Sequence, residues 1–317
     1  MSVYTTVDAA ELTAFLTRFD IGELVAHEGI SEGIENTNYF VYTTRGSYVM
    51  TLFEATAFDG LPFFLDLMAY LAENGLPVAH PLPDRDGRYL SELKDRPAAI
   101  VMRLEGRSVE APNPAQCEAI GDAMARMHFI GTGFEQRRGD DRGLAWRRQA
   151  AARVLPHLPR ALAQDLEREL ALSERVAQVA LPSGVIHADL FRDNALFVDD
   201  TLTGLIDFYY AFTGPFLYDL AVLMNDWCTV PGSPGLDEAR ARTIAGAYQA
   251  VRRVSDEERA AWPEMLRHAA SRFWLSRLVD QIFPREGELT TVKDPAVYHA
   301  IICERRAIGD ALRDVWN

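Results

Sequence analysis

The run His187-Ala188-Asp189-Leu190-Phe191-Arg192-Asp193-Asn194, followed by Leu205-Ile206-Asp207-Phe208, constrains this chain more than any other feature. It has the form H-x-D-x-x-x-x-N and leads into two apolar strands, residues 196–198 and 202–206, joined by a turn at Asp199-Asp200-Thr201. A hairpin of that length brings the chain back to where it left, which would set Asp207 beside Asn194 and Asp189. Phosphoryl transfer from ATP needs one carboxylate to orient the attacking hydroxyl. It also needs an Asn and an Asp to hold the metal ions that neutralise the triphosphate. Each part alone is weak: H-x-D recurs by chance, and acidic residues at a turn are usually solvated turn-formers. The ordered combination, with apolar strands at fixed places around it, points to a kinase active site.

The 317 residues are enough for two lobes, each with its own core. Apolar residues at 48% and charged residues at 25% make an ordinary globular balance. Lys plus Arg number 32 against 46 acidic residues, a net charge of −14 that argues against nucleic acid, whose binding rests on cationic contacts to phosphate. No apolar run is long enough to span a bilayer, and the N-terminus lacks the basic-then-apolar pattern of a signal peptide. A cytoplasmic protein with a small-molecule substrate and no membrane partner is expected. Cys117, Cys228 and Cys303 are far apart and odd in number, so they read as reduced thiols. None of the seven histidines forms an H-x-x-x-H or H-E-x-x-H pair, which argues against a metalloenzyme built on them.

Asp8 with Glu11 predicts a helix start, and Leu12, Phe15, Leu16 and Phe19 supply one apolar face. Strands are predicted over residues 24–30, 39–43 and 48–53, then a helix over 61–71 that stops at Asn74-Gly75. Two more strands, 88–93 and 98–104, flank a turn at Lys94-Asp95-Arg96. Three strands, a helix and two strands match the small lobe of a protein-kinase-like fold. The rest reads as mostly helical apart from the catalytic hairpin, with Asn113-Pro114 opening one helix. The expected class is therefore α+β and bilobal. Residues 1–104 form a nucleotide-binding lobe around a five-stranded antiparallel sheet, and residues 105–317 a larger catalytic and substrate-binding lobe.

Residues 29–36, Gly-Ile-Ser-Glu-Gly-Ile-Glu-Asn, join the first two strands. Glycines there let backbone N–H groups approach a phosphate without a Cβ in the way. It is not a P-loop, since no Gly-Lys-Ser/Thr pair and no helix follow. In protein kinases the third strand carries a Lys that grips the phosphates and pairs with a Glu on the next helix. Here Thr51 stands in that place, and residues 61–71 contain no Glu. The triphosphate then needs another cation, for which Arg192 is the candidate; a surface arginine in a loop is the alternative.

These residues resemble the aminoglycoside-phosphotransferase and choline-kinase superfamily over nearly the whole chain, and within it the bacterial homoserine kinases. The resemblance is carried by residues 28–41, by Thr51-Leu52-Phe53-Glu54, by the catalytic loop, by Gly204-Leu205-Ile206-Asp207-Phe208-Tyr209, and by Tyr218-Asp219-Leu220-Ala221 with Asn225-Asp226-Trp227-Cys228. That group also lacks the strand-three Lys. The resemblance implies ATP and Mg²⁺ as cofactors, with Asp189 orienting the substrate hydroxyl and Asn194 and Asp207 as oxygen ligands to Mg²⁺. It implies ATP contacts at Gly29, Ser31, Gly33 and Asn36, with adenine near Met102, Arg103 and Leu104. His187 and Asp219 would brace the loop.

The implied reaction is phosphorylation of L-homoserine to O-phospho-L-homoserine, a step towards threonine. Such a substrate is a zwitterion and needs a cation for its carboxylate and an acceptor for its ammonium. Arg142, Trp146, Tyr209, Asn225 and Asp226 are the candidates, each of which also fits a core or surface role. The rival readings are a kinase for choline, methylthioribose or an aminoglycoside, and a pseudokinase that holds nucleotide without turnover. Against the last, Asp189, Asn194 and Asp207 are all intact.

Overall fold

Asp8 accepts hydrogen bonds from the N–H groups of Ala10 and Glu11, and Glu11 accepts one from the N–H of Asp8. This reciprocal cap starts α1 (Ala9–Leu16), as the sequence predicts. A computed structural model describes residues 5–30, 36–54, 60–230, 232–284 and 293–317. Contacts divide the chain into two units. One holds the chain up to Glu105 together with Gly204–Tyr209; the other holds Gly106–Thr203, Tyr210–Arg285 and Val292–Asn317.

The first unit contains β1 (Leu24–Gly29), β2 (Thr37–Thr43), β3 (Gly46–Leu52), α2 (Leu61–Glu73), β4 (Ser91–Leu93) and β5 (Arg96–Met102). The strands form the five-stranded antiparallel sheet expected from the sequence, in the order β1-β2-β3-β5-β4. Alternate side chains Tyr39, Val41, Tyr48, Met50 and Ile100 join Leu12, Phe15 and Leu16 of α1 in one core. Thr51 lies opposite Asn38 on β2 and Ala99 on β5. The β4–β5 turn puts Lys94 and Asp95 at φ of 55° and 59°, the paired left-handed conformation that suits a two-residue hairpin. Strand β4 starts later than predicted because Asp84 takes the N–H groups of Asp86 and Arg88, each at 2.9 Å, and curls the chain locally.

Helix α2 stops at Asn74-Gly75, with Gly75 at a φ of 85°. It runs two residues past the apolar stretch, so the expectation of a helix without Glu is corrected. Glu73 sits in its last turn, with a carboxylate oxygen 3.3 Å from His80 Nε2 at the surface. The segment Gly204–Tyr209 is tied into this unit by Leu205, whose N–H donates to the Pro77 carbonyl at 2.7 Å.

The second unit is mainly helical. In chain order it contains α3 (Pro114–Gly131), α4 (Leu144–Val154), α5 (Arg160–Val176), β6 (Ser183–Ile186) and the hairpin strand β7 (Ala195–Val198), with its partner β8 (Thr201–Leu205) starting here. Strand β9 (Phe212–Pro215), α6 (Phe216–Trp227), α7 (Glu238–Val251), α8 (Asp256–Ile282) and α9 (Pro295–Ile308) complete it. Asn113 and Gln116 cap α3 reciprocally. The long α8 buries Trp262, Leu266, Trp274 and Leu275 and packs against α4, α5, α6 and α9. One element was not legible: β9 pairs antiparallel with β6, Val185 facing Thr213. Phe212-Thr213-Gly214-Pro215 has neither alternation nor length, and its Gly-Pro pair reads as a turn.

Helices α3 and α7 cross so closely that a Cβ on Gly121 would lie 2.7 Å from the Ile244 carbonyl oxygen, whereas one on Gly246 meets nothing within 4 Å. Gly121→Leu should therefore cost about 1–3 kcal/mol through forced separation of the helices. Gly246→Ala, inside α7, should gain roughly 0.5–1 kcal/mol from helix propensity. Chemical denaturation of the two variants reads both; a neutral Gly121→Leu would contradict the close packing.

Candidate active site

Strand β6 delivers the chain into His187-Ala188-Asp189. Ala188 sits at a φ of 64°, a left-handed conformation that costs an ordinary L residue roughly 1–2 kcal/mol. Asp219, fully buried in the first turn of α6, holds it there. Its Oδ1 accepts the Ala188 N–H at 2.7 Å, and its Oδ2 accepts the His187 N–H at 2.9 Å. The same Oδ2 accepts from His128 Nε2 of α3 at 3.0 Å. His128 Nδ1 then accepts from the Tyr248 hydroxyl of α7 at 2.7 Å, and Tyr248 accepts from Arg252 at 3.2 Å. Burial holds the His128 imidazole below its usual range despite the Asp219 hydrogen bond. Burial would raise Asp219, but His128 and the loop N–H groups outweigh it and hold its carboxyl low. A charged Asp219 thus accepts from a neutral His128. Nothing in the sequence singles out His128, which lies near the C-terminal end of a helix face.

Two turns along α6, the helix grips the loop again. Asp226 accepts the Arg192 N–H at 2.8 Å and its Nε at 3.0 Å, while Trp227 Nε1 donates to the Leu190 carbonyl at 3.3 Å. A further Arg192 nitrogen donates to the Glu110 carbonyl. The guanidinium proposed for phosphate is thus placed on protein partners. Asn194 Nδ2 donates to the Asp189 carbonyl at 2.8 Å, and Asn194 itself is 8% exposed. Its donors face the loop, which leaves Oδ1 as an acceptor. That oxygen and the Asp207 carboxylate are hard donors of the kind Mg²⁺ takes. Asp207 belongs to the first unit and has a φ of 63°.

Beside the loop, Asp140, Arg142, Ala188, Tyr210, Tyr218 and Arg272 help to line a pocket enclosing about 290 Å³, part of it continuous with solvent. Arg272 of α8 is 6% exposed and stacks over Tyr210 at 4.6 Å and Phe273 at 4.2 Å. One of its nitrogens lies 3.9 Å from Asp189 Oδ1. Desolvation opposes its charge, yet Asp189, Tyr218, Tyr210 and Asp140 hold its pKa above the usual value. Burial pushes the Asp140 carboxyl up, against the pull of the Arg142 N–H, Arg147 and Arg272. Burial likewise pushes the Tyr218 hydroxyl up to about 12. Arg142 is at this pocket, its guanidinium 4.7 Å over the Trp146 ring. Asp140 and Arg272 were missed because one of two adjacent acids in a Gly-flanked loop and one of several arginines along a long helix carry no spacing signal.

The remaining candidates fall elsewhere. Asn225 is 1% exposed and spends its amide on the Leu266 carbonyl at 2.8 Å and on Arg305 at 3.3 Å. In the first unit, Tyr209 is packed edge-on against Phe53 at 5.0 Å and Phe64 at 5.9 Å. Its hydroxyl is hydrogen-bonded to Thr51 and pushed above its usual pKa by burial, then by Asp207. Thr51 in turn donates to Asn38 Oδ1 at 2.7 Å. Gly29 ends β1, and Asn36 Oδ1 accepts the Glu54 N–H at 3.4 Å. Ser31 and Gly33 lie outside the described residues. Near Leu104, the Met102 and Arg103 N–H groups are already bonded to the carbonyls of His80 (2.9 Å) and Ser47 (3.2 Å). Among the described residues, one further group, Asp165, His299 and Cys303, has its ligand atoms within 4.8 Å of one another, but Arg168 and Arg306 already pair with Asp165. No helix among the described residues is long and apolar enough to cross a membrane.

The profile of the phosphotransferase enzyme family matches residues 27–261. The homoserine kinase of Methylobacillus flagellatus is 48% identical over 316 residues, covering 100% of this chain and 99% of that protein. The homoserine kinase of Methylobacillus glycogenes is 44% identical over the same length and coverage. Among solved structures, an amicoumacin kinase in complex with AMP-PNP, Ca²⁺ and Ami superposes with a TM-score of 0.72. It is 17% identical and covers 97% of this chain and 94% of its own, which shows a shared fold.

His128 and His268 are both kept neutral by burial, His268 also by the charge of Arg147. In the unfolded chain each takes up a proton near pH ~6.5. Below that value the unfolded state binds more protons than the folded one, so stability falls as pH drops. The raised carboxyls of Asp140 and Glu169 act in the opposite sense nearer the carboxylate range, so the useful window is about pH 5 to 8. Urea midpoints should hold down to about pH 6.5 and then decline, with a shallower decline in His128→Gln. A midpoint independent of pH across that window would refute the neutral histidines.

Proposed function

The chain belongs to the phosphotransferase enzyme family, and we propose that it phosphorylates L-homoserine on its side-chain hydroxyl with ATP, giving O-phospho-L-homoserine. The observation that carries this reading is identity of 48% and 44% with two homoserine kinases along essentially the whole chain. The catalytic loop supports the chemistry. Asp189 is positioned by its own carbonyl, which accepts from Asn194 and from the Phe191 N–H, and by the Asp219 grip on the two preceding residues. Its carboxylate orients the acceptor hydroxyl and receives the proton as the new O–P bond forms. The bond from the γ-phosphorus to its bridging oxygen breaks, and ADP leaves. Positioning and charge neutralisation contribute most in so loose a transition state, and an ordinary carboxylate is sufficient.

Asn194 and Asp207 are the Mg²⁺ ligands in this reading; the ion neutralises phosphate charge when bound. His187 and Asp219 are braces, and so are Asp226 and Arg192, which spend their charges on one another. ATP phosphates then depend on the loop from Gly29 to Asn36, with adenine beside Met102 and Leu104. The nucleotide-binding role belongs to residues 1–104 and the catalytic and acceptor-binding role to residues 105–317. In place of a strand-three Lys the first unit has Thr51 with Tyr209, so binding of ATP without metal should be poor.

Asp189→Asn should lower kcat by about 10²–10⁴-fold while MgATP binding stays within a few-fold of wild type. Retention of a tenth of normal turnover would remove Asp189 from its role. In a coupled ADP-release assay, homoserine should exceed choline, methylthioribose and kanamycin by orders of magnitude in kcat/KM; preference for one of the others would replace the acceptor and leave the phosphotransfer chemistry. Chelation of divalent ions should abolish turnover, and Asp207→Ala should raise the Mg²⁺ requirement steeply. Full activity in excess chelator would exclude the Asn194–Asp207 assignment.

A further inference from the structure

Arg272 presents an unusual combination. It is a guanidinium 6% exposed, and among the described residues it makes no hydrogen bond; its polar partner is Asp189, at 3.9 Å. A buried guanidinium carries five donors whose desolvation is costly unless oxygens replace the lost water. Stacking on Tyr210 and Phe273 fixes the plane of the group without using those donors. The other buried arginines of this unit spend donors on protein oxygens, although one nitrogen of Arg147 has no partner. Arg147 donates to Ser173, Ser271 and the His268 carbonyl, and Arg305 to Asn225 and Thr229. Arg272 therefore has a planar, held fork facing a pocket, beside the carboxylate that receives the acceptor hydroxyl.

The same pocket contains the opposite charge. Asp140 accepts one backbone N–H, from Arg142 at 2.7 Å, and burial destabilises its anion. The neighbouring Asp141 is neutralised by Arg138 at 2.6 Å, so Asp140 is the acid left to the pocket. We infer that this pocket holds the α-amino-acid end of the acceptor, with Arg272 pairing the α-carboxylate and Asp140 the α-ammonium while Asp189 takes the side-chain hydroxyl. The inference rests on the reading of the chain as a homoserine kinase and adds the residues that recognise the acceptor. Two oxyanions suit Arg272 chemically, the substrate carboxylate and the transferring phosphoryl group. Asp140 decides between them, because a multiply charged phosphate would be repelled by it whereas a zwitterion satisfies both groups.

The test removes one charge from the protein and the matching charge from the substrate. 3-Aminopropan-1-ol is homoserine without its carboxylate, and 4-hydroxybutanoate is homoserine without its ammonium. Arg272→Met should lower kcat/KM for homoserine by about 10²–10³-fold, as expected for breaking a buried charge pair, and change that for 3-aminopropan-1-ol less than about threefold. Arg272→Lys should restore part of the loss, and KM for MgATP should stay near wild type. Asp140→Asn should slow homoserine and 3-aminopropan-1-ol alike and spare 4-hydroxybutanoate. Where the truncated alcohols turn over too slowly, competitive inhibition by L-2-aminobutyrate, propylamine and butanoate gives the same comparison. If Arg272→Met is too unstable to assay, Arg272→Lys and Asp140→Asn carry the cycle. Equal losses on homoserine and the carboxylate-free alcohol would assign Arg272 to the phosphoryl group and overturn the proposal. Unchanged homoserine kinetics in both variants would overturn it while leaving the homoserine kinase reading intact. A wild-type protein that does not phosphorylate homoserine at all would remove that reading and this one together.

Discussion

The buried carboxylate of Asp219 is the constraint on which the catalytic half of the second unit depends. Taking a carboxylate out of water costs several kcal/mol, and the protein offsets this with three hydrogen bonds from groups that are themselves buried. Bonds to a charged acceptor contribute about 1.5–3 kcal/mol each, enough to carry both the desolvation and the strained Ala188 backbone. The three donors come from different places: two from the end of β6 and one from α3. The α3 donor is oriented in turn by Tyr248 of α7 and, through it, by Arg252. Strand, three helices and loop are thereby referred to one atom pair. The Gly121 contact matters for the same reason, since it sets how closely α3 and α7 approach.

Helix α6 also works as a ruler. Asp219 and Asp226 are seven residues apart, which is about two turns and places both on one face. Asp219 holds the start of the loop, Asp226 holds Arg192, and Trp227 holds Leu190 between them. Asp189 and Asn194 are thereby presented from a backbone gripped at both ends, which is the preorganisation that positioning catalysis needs. The use of Arg192 as a clamp has an electrostatic consequence. Its charge is matched by Asp226, so it adds little attraction for a triphosphate. At the sheet position of the kinase Lys, the first unit likewise places uncharged Thr51, Asn38 and Tyr209, bonded in series.

The five strands along the chain, the helix starts at Asp8 and Asn113 and the turn at Lys94-Asp95 were all legible, because each leaves a local pattern of spacing or turn chemistry. Strand β9 was not, because a four-residue strand ending in Gly-Pro is decided by its pairing with β6. At the site, the residues of the catalytic loop could be named because one short segment contains them. His128, Asp140 and Arg272 could not. They come from a helix 60 residues upstream of the loop, from an irregular segment and from a helix beyond it, and single polar residues in such places carry no periodic signal. Asn225 shows the converse error. Its place after Asp207 in the chain suggested a substrate contact, but helical geometry turns it to a different face from Asp226, and Asn225 points into the core.

The closeness of Arg272 to Asp189 bears on how acceptor binding and chemistry are linked. A cation 3.9 Å from the carboxylate that orients the hydroxyl sets the two ends of a short acceptor within one span of the protein. With the pocket filled by an amino acid, the carboxylate of the substrate would take up the Arg272 donors while its hydroxyl lies beside Asp189. An alcohol without a carboxylate would leave Arg272 unmatched. An alcohol without an ammonium would leave the half-buried Asp140 without its counter-charge. Each defect penalises the wrong acceptor through a group of the protein left unsatisfied, which is the strongest form of discrimination a small polar site can achieve. Water carries neither charge, so the Arg272 and Asp140 pair would not position it against Asp189, and the groups that select the acceptor would leave hydrolysis of ATP unassisted.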